Sequence, residues 1–269
     1  MKVCLAGSGH LGLNHFNIRE EEKDMKVCLA GTYSRDFLLE EVSKSKYLLE
    51  SFWYFQDWQK PLLKSSDLFL IDSGAFTFMN TVKGNVNWND YLNRYIDFIN
   101  ENDIEHFFEL DIDCIVGYDA VKRIRNKLEH ETGKKSIPVW HVSRGKNEFI
   151  RMCEEYDYVA FGGLLTDGIS TKEIVKYLPW FIKTAHSHGC KIHGLGFTNL
   201  TELPNIHFDT VDSTSWLSGS RFGHVYRFNG QTITTHKAPA GYKTAHYKQL
   251  DLNNLREWIK FQQYAEVHL

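Results

Sequence analysis

The chain has no CxxC pair. Its five cysteines, Cys4, Cys28, Cys114, Cys153 and Cys190, are odd in number and scattered. That argues against a disulfide framework or a thiolate zinc module and predicts free thiols in a reducing compartment. No apolar run approaches membrane-spanning length, so no membrane partner is expected. Residues 1–24 lack the long apolar segment of a signal peptide, and the expectation is a cytoplasmic protein. Charge of neither sign dominates. The net charge is -3, so no global field draws in polyanions, and any nucleic-acid contact must come from a local patch. No Pro/Gly/Ser linker and no low-complexity tract divides the chain.

What is present suits one large domain. The 269 residues are 42% hydrophobic and 24% charged, enough to bury a sizeable core. Aromatics reach 14%, which favours stacking surfaces as well as core. The segment Met1-Lys2-Val3-Cys4-Leu5-Ala6-Gly7 recurs unchanged as Met25 to Gly31. A third copy is absent, so a solenoid is unsupported. The second copy leads into the rest of the chain and is read as the structural one. Residues 1–24 are therefore set apart as an extension, and 25–269 as a single domain. Gly7-Ser8-Gly9-His10-Leu11-Gly12 matches GxGxxG, but too few residues follow it to complete a βαβ unit, so it is not read as a dinucleotide site.

From Met25 onward, runs rich in Val, Ile, Leu and Phe alternate with amphipathic segments. The runs are 26–30, 47–54, 68–72, 107–111, 137–141, 158–161, 191–195 and 210–212. Between them, 88–100 and 172–188 each carry one apolar stripe at helical spacing. Repeated eight times, this pattern predicts an α/β fold, a (β/α)8 TIM barrel, with a doubly wound open sheet as the alternative. After Asp212 the pattern changes. Residues 225–234 read as a hairpin turning at Asn229-Gly230, and Asp251 reads as the cap of a last helix. Between Asp212 and Asp251 there is no acidic residue. Arg221, Arg227, Lys237, Lys243 and Lys248 fall there among Phe222, Tyr226, Phe228, Tyr242 and Tyr247. Such a stretch can hold a phosphate backbone and stack bases, or be a solvated hairpin with a few lysines.

Catalysis in such barrels sits at the C-terminal ends of the strands. There the sequence places Asp72-Ser73-Gly74, Asp111 and Asp113, His141, Gly162-Gly163-Leu164, His193 and Asp212-Ser213. Two carboxylates on opposite walls suit chemistry at an anomeric carbon, one attacking or stabilising a cation and one moving a proton. Asp72 and Asp212 are the natural pair. Asp111 and Asp113 can accept from N–H donors, and Gly162 and Gly163 would leave backbone amides open to a ligand. Plainer roles exist for each: a turn or N-cap aspartate, a strand-end glycine turn, a satisfied core histidine. His186, His188, Cys190 and His193 lie close in sequence but match no common zinc spacing, so neither a metal nor a cofactor is expected.

These residues resemble the tRNA-guanine transglycosylase superfamily, most of all its short DNA-directed branch, the DpdA-like 7-deazaguanine DNA transglycosylases of phage type. Asp72-Ser73-Gly74-Ala75-Phe76 is similar to the family's DSGGF, and Gly162-Gly163-Leu164 matches its GGL. Asp111, or alternatively Asp113, is similar to its base-reading aspartate, and His141 stands where the family has a glutamine. Asp212 matches its nucleophile, followed at the family's spacing by Arg221. The family's cysteine-bound zinc subdomain is missing, since no cysteine follows Cys190.

The resemblance implies base exchange in a polynucleotide. Asp212 would attack C1′ and guanine would leave. A free 7-deazaguanine base would then enter, with Asp72 managing its proton. Ser73, Gly74, Asp111, Asp113, His141, Gly162, Gly163 and Leu164 would hold the base. Arg221, Arg227, Lys237 and Lys243 would hold DNA, the favoured substrate without the zinc module. Exchange on tRNA, a glycoside hydrolase and a non-catalytic nucleic-acid-binding barrel are the alternatives. A homodimer is left open.

Overall fold

The computed structural model describes residues 24–75, 77, 87–162, 171–197 and 199–269. The first copy of the repeat, the GxGxxG match, Phe76, Gly163 and Leu164 lie outside them.

The runs fold as eight parallel strands: β1 (Lys26–Ala30), β2 (Tyr47–Ser51), β3 (Leu68–Asp72), β4 (His106–Phe107), β5 (Val139–Trp140), β6 (Tyr158–Phe161), β7 (Lys191–Gly194) and β8 (Thr210–Ser213). Their order is β4-β3-β2-β1-β8-β7-β6-β5. A parallel bridge from Phe108 to Ile137 joins the two ends, and Glu109 N–H donates to Ile137 O at 3.0 Å. The expected (β/α)8 barrel is the fold, and the open sheet is excluded by this closure. β1 and β8 are in register from Lys26–Thr210 to Leu29–Ser213, and β3 pairs with β2 as far as Ser51–Asp72. That register carries Asp72 and Asp212 to the same end of the barrel.

Both faces of the strands are buried, which is why they read as nearly continuous apolar runs. One face packs Cys28, Leu49, Leu70, Phe108, Val139 and Ala160 inside the barrel. The other packs Val27, Leu29, Leu48, Ile71, Phe107, Val159, Phe161 and Ile192 against the helices. The helix Trp88–Glu101 buries Tyr91, Leu92, Tyr95, Ile96 and Ile99, and Asn87 caps it by accepting from Asp90 N–H. The predicted helix over 172–188 is two, Thr171–Val175 and Leu178–Ser187, with Pro179 in the first turn of the second. Proline has no N–H for an intrahelical bond and is tolerated only in a first turn.

The C-terminal helix runs from Tyr242 to His268, with a kink at His246. Asp251 therefore lies inside it rather than at its start. Its buried carboxylate instead accepts from Ser220 N–H at 3.0 Å, in the short helix Ser218–Phe222, and from Arg35 Nε at 2.6 Å. Gln262 clasps this helix to the barrel. Its amide donates to Val27 O and Tyr47 O at 2.7 and 2.9 Å and accepts from Lys46 N–H at 2.9 Å.

The hairpin forms as β9 (His224–Phe228) and β10 (Ile233–Lys237). Asn229 Oδ1 accepts from Gln231 and Thr232 N–H, and Gly230 takes φ 101. β9 lies along the C-terminal helix, with Tyr226 N–H on Asn254 and Phe228 N–H on Glu257. Phe228 also meets Phe261 and Tyr264. Leu269, the residue after the helix, lines a cavity at the strand beginnings together with Lys26, Leu68 and Lys191. The hairpin tip thus points away from the strand ends that carry Asp72 and Asp212. Among the described residues, no helix is long and apolar enough to cross a membrane.

Candidate active site

Asp72 ends β3 and is partly buried. Its Oδ2 accepts from Gly74 N–H at 3.0 Å. Gly74 has φ 73, and a Cβ there would lie 2.6 Å from Trp53 Cβ and 2.7 Å from Ser51 Oγ. Only glycine makes this turn. The helix Trp88–Glu101 fixes the strand end from outside. Tyr91 Oη donates to Ser73 O at 2.5 Å, and Tyr95 Oη lies 3.2 Å from Ile71 O and 3.1 Å from Phe108 O. Burial raises the Asp72 pKa to about 6, and the charges of Asp212 and Asp111 push the same way. Its backbone bonds to Gly74 and Ser73 oppose the rise.

Across the mouth, β8 delivers Asp212, only 9% exposed. Oδ1 accepts from Gly196 N–H at 2.6 Å and lies 3.2 Å from His193 Nε2. The imidazole of His193 is wholly buried, with Nδ1 2.6 Å from Thr210 Oγ1. Asp212 is therefore anchored through one oxygen by two groups.

The third wall is an ion network. His141 Nε2 lies 2.6 Å from Asp111 Oδ2. Arg144 places Nη2 3.1 Å from Asp111 Oδ1, Nε 3.1 Å from Asp113 Oδ2 and Nη1 2.9 Å from Glu109 Oε1. It also donates to Val139 O, and its guanidinium lies 4.2 Å from the centre of the Tyr118 ring. Glu109, fully buried, further accepts from Val139 N–H and Arg125. Burial raises the pKa of Glu109, and the two arginines offset that rise. Burial works against a charged His141, but the hydrogen bond and charge of Asp111 outweigh it and the pKa stands raised. Asp111, Asp113 and His141 bring one ligand-type atom each within 4.8 Å of one another. Arg144 already sits on one oxygen of each carboxylate, so a guanidinium offsets part of the cluster's charge.

The structure brings Asp72, Asp111, Asp113, His141 and Asp212 to one mouth and gives the remaining candidates other surroundings. Ser73 is fully buried on the helix side of β3, where its Oγ accepts from Ala75 N–H at 3.4 Å. Gly162 donates its N–H to Trp140 O at 2.8 Å, so the amide is not open to a ligand. Its lack of a side chain serves His141 instead: a Cβ would lie 3.0 Å from His141 Cε1 and 2.5 Å from Val139 Cγ1. Arg221 and Lys243 meet through Lys243 Nζ on Arg221 O, and Arg227 and Lys237 are exposed on the hairpin. Sequence reasoning missed the roles of Arg144 and Glu109 and placed His193 at a strand end without linking it to Asp212. The signals available were a charge at or beside a strand end and an imidazole inside an apolar run. Among the described residues no lysine stands at the C-terminal end of a barrel strand; Lys26 and Lys191 open theirs.

No family model matches the chain, and no curated protein matches it. The solved structures similar to the chain include two described as aldolases. One is described as QR15, an aldolase (14% identity, TM-score 0.46), covering 74% of this chain and 92% of its own. The other, from Coccidioides immitis, is described as a fructose-1,6-biphosphate aldolase (9% identity, TM-score 0.52) and covers 91% of both chains. The second confirms the barrel.

The resemblance to the guanine transglycosylases is corrected by these findings. The similar barrel at TM-score 0.52 is described as an aldolase rather than a transglycosylase, and no family model supports that membership. The contacts explain how short motifs misled. The glycine after Ser73 and the first glycine of GGL are required by packing against Trp53 and His141, as described above. Asp111 is held by Arg144 and His141 rather than facing free space. Base exchange on DNA or tRNA, a 7-deazaguanine substrate, DNA modification and the phage-type assignment are accordingly set aside.

Proposed function

We propose that the protein is an enzyme of the lyase class, making or breaking a carbon–carbon bond beside a carbonyl by proton transfer between carboxyl groups. The observation that carries this reading is the pair at the mouth: Asp72, with a pKa of about 6, opposite the anchored carboxylate of Asp212. Two carboxyl groups whose surroundings differ this way divide into acid and base. In the cleavage direction Asp212 takes the proton of the substrate's β-hydroxyl and the carbon–carbon bond breaks to an aldehyde. Its electrons pass to the carbonyl oxygen as an enolate, which the His141 ring, its pKa raised beside Asp111, would stabilise. Asp72, in its acid form, then protonates the enolate carbon. The route needs no imine, in keeping with a rim without lysine among the described residues. The aldolase described for the similar barrel supports the reaction class.

The test is a panel of hydroxy-carbonyl compounds, beginning with fructose 1,6-bisphosphate and dihydroxyacetone phosphate. Proton NMR in D2O follows aldehyde release and exchange of the α-proton. Cleavage that is lost in both Asp72→Asn and Asp212→Asn, with exchange lost in Asp72→Asn, supports the reading. Absence of both cleavage and exchange across the panel, with a folded protein, overturns it.

A further inference from the structure

Among the described residues, an apolar cluster fills the barrel interior and one file of polar groups runs through it. A cavity of about 570 Å³ opens at the strand beginnings, lined in part by His106, Tyr158 and Thr210. From it a file of hydrogen bonds runs inward. The Tyr158 and Thr210 hydroxyls are bonded to each other, Thr210 Oγ1 lies 2.6 Å from His193 Nδ1, and His193 Nε2 lies 3.2 Å from Asp212 Oδ1. The file passes between residues of the inner apolar cluster, and the His193 ring sits edge-on to Phe108 at 5.2 Å. Polar groups in such a layer are retained only when every member is satisfied.

The donors in the file can be assigned. Burial holds the Tyr158 phenol well above its ordinary pKa, so it stays protonated. A carboxylate oxygen can only accept, so with Nε2 3.2 Å from Asp212 Oδ1 the hydrogen between them is placed on Nε2. Nδ1 of a neutral ring must then accept, and the Thr210 hydroxyl is the group in place to give. Thr210 oxygen in turn accepts from Tyr158. Every hydrogen points toward Asp212.

We infer that Tyr158 and Thr210 lock His193 in the Nε2–H tautomer, and that His193 thereby positions Asp212 as the base of the reaction proposed above. The inference rests on that reading for the role of Asp212. The lock itself is a property of the unliganded protein. His193, Thr210 and Tyr158 are positioning residues: none touches substrate. The oxygen that they and Gly196 hold is Oδ1, which leaves Oδ2 as the atom that takes the proton.

The test is a long-range proton–nitrogen NMR correlation of the histidine rings in the full chain, at neutral pH without ligand. The expected spectrum shows His193 with a protonated Nε2 and a bare Nδ1. Thr210→Val, which keeps the shape and removes the hydroxyl, is expected to give mixed tautomers, and Thr210→Ser to restore one. A protonated Nδ1 in the wild type, or an unchanged spectrum in Thr210→Val, overturns the lock. Where the panel above finds a substrate, Thr210→Val is expected to lower kcat about tenfold with KM unchanged and Thr210→Ser to recover it. An equal kcat in Thr210→Val removes the positioning role. An inactive wild type with the expected spectrum overturns the lyase reading and leaves the lock standing.

Discussion

Arg144 and Asp111 meet at 3.1 Å across the barrel mouth, and the same guanidinium reaches Asp113 and Glu109. Its side chain is 1% exposed. One buried cation therefore holds three carboxylates, and the acidic wall of the site exists because of it. Removing the cation takes that partner from Asp113 and leaves Glu109 with Arg125 and Asp111 with His141. Arg144→Met is expected to cost on the order of 3–5 kcal/mol, read by urea unfolding. Arg144→Lys is expected to recover only part of the loss, since an ammonium cannot fork to Glu109 and Asp111. Equal stability of Arg144→Met and the wild type would refute the account.

Asp72 sets a pH limit on activity. With its pKa near 6, the acid form is lost as pH rises through that value. The rate of cleavage, which needs that acid form to protonate the enolate carbon, is expected to fall about tenfold per pH unit above it. A flat profile from pH 5 to 8 would show that Asp72 is not the acid.

Glu50 supplies a pH effect on stability away from the chemistry. It is 1% exposed, and its Oε1 accepts from Thr32 N–H at 2.8 Å. Burial raises its pKa to about 7, against the hydrogen bonds from Thr32 and Gln59. The folded state then holds a proton that the unfolded chain gives up near 4.5. The stabilising contribution is complete below that pH and is lost as pH rises through about 7. Measured against Glu50→Gln, the wild type is expected to lose about 3 kcal/mol between pH 4.5 and 8. A constant difference between the two proteins across that range would contradict the burial argument.

Gly162 is expected to tolerate no side chain. A methyl group would meet Val139 Cγ1 at 2.5 Å and push the His141 ring from Asp111. Gly162→Ala should cost about 1–3 kcal/mol and shift the His141 ring resonances. An unchanged melting temperature with unshifted resonances would mean that His141 does not rely on this gap.

Gln262→Leu tests the clasp of the C-terminal helix. It fills the space but takes the side-chain donor from Val27 O and the side-chain acceptor from Lys46 N–H, and leaves Tyr47 O with the Ser45 hydroxyl. A loss of about 2–4 kcal/mol is expected, seen as a lower midpoint in urea. Retention of the wild-type midpoint would show that other groups satisfy those atoms.

The strands were legible because each is buried on both faces and so stands out as an apolar run. β4 and β5 are shorter than the runs that announced them, and their continuations at Phe108 and Ile137 meet in only a single bridge. Asp72 and Asp212 were legible as acids closing such runs. Asp251 was misread because Asp before a helical pattern is an ordinary N-cap signal. Its real partners, Arg35 and Ser220, are brought to it only by the fold. The short motifs at Asp72 and Gly162 suggested a family because glycine beside a strand end has few meanings in sequence and many in space.

The sequence by itself determined the barrel, the end of it that carries the carboxyl groups, and the hairpin with its Asn-Gly turn. These follow from periodicity and local backbone preference, which neighbours along the chain decide. Tertiary structure decided what each carboxyl group does. Arg144 reaches Asp111 from 33 positions away and His193 reaches Asp212 from 19. Whether an aspartate is neutralised, anchored or left to carry a proton depends on burial and on charges brought together across strands, and nothing local in the chain specifies those.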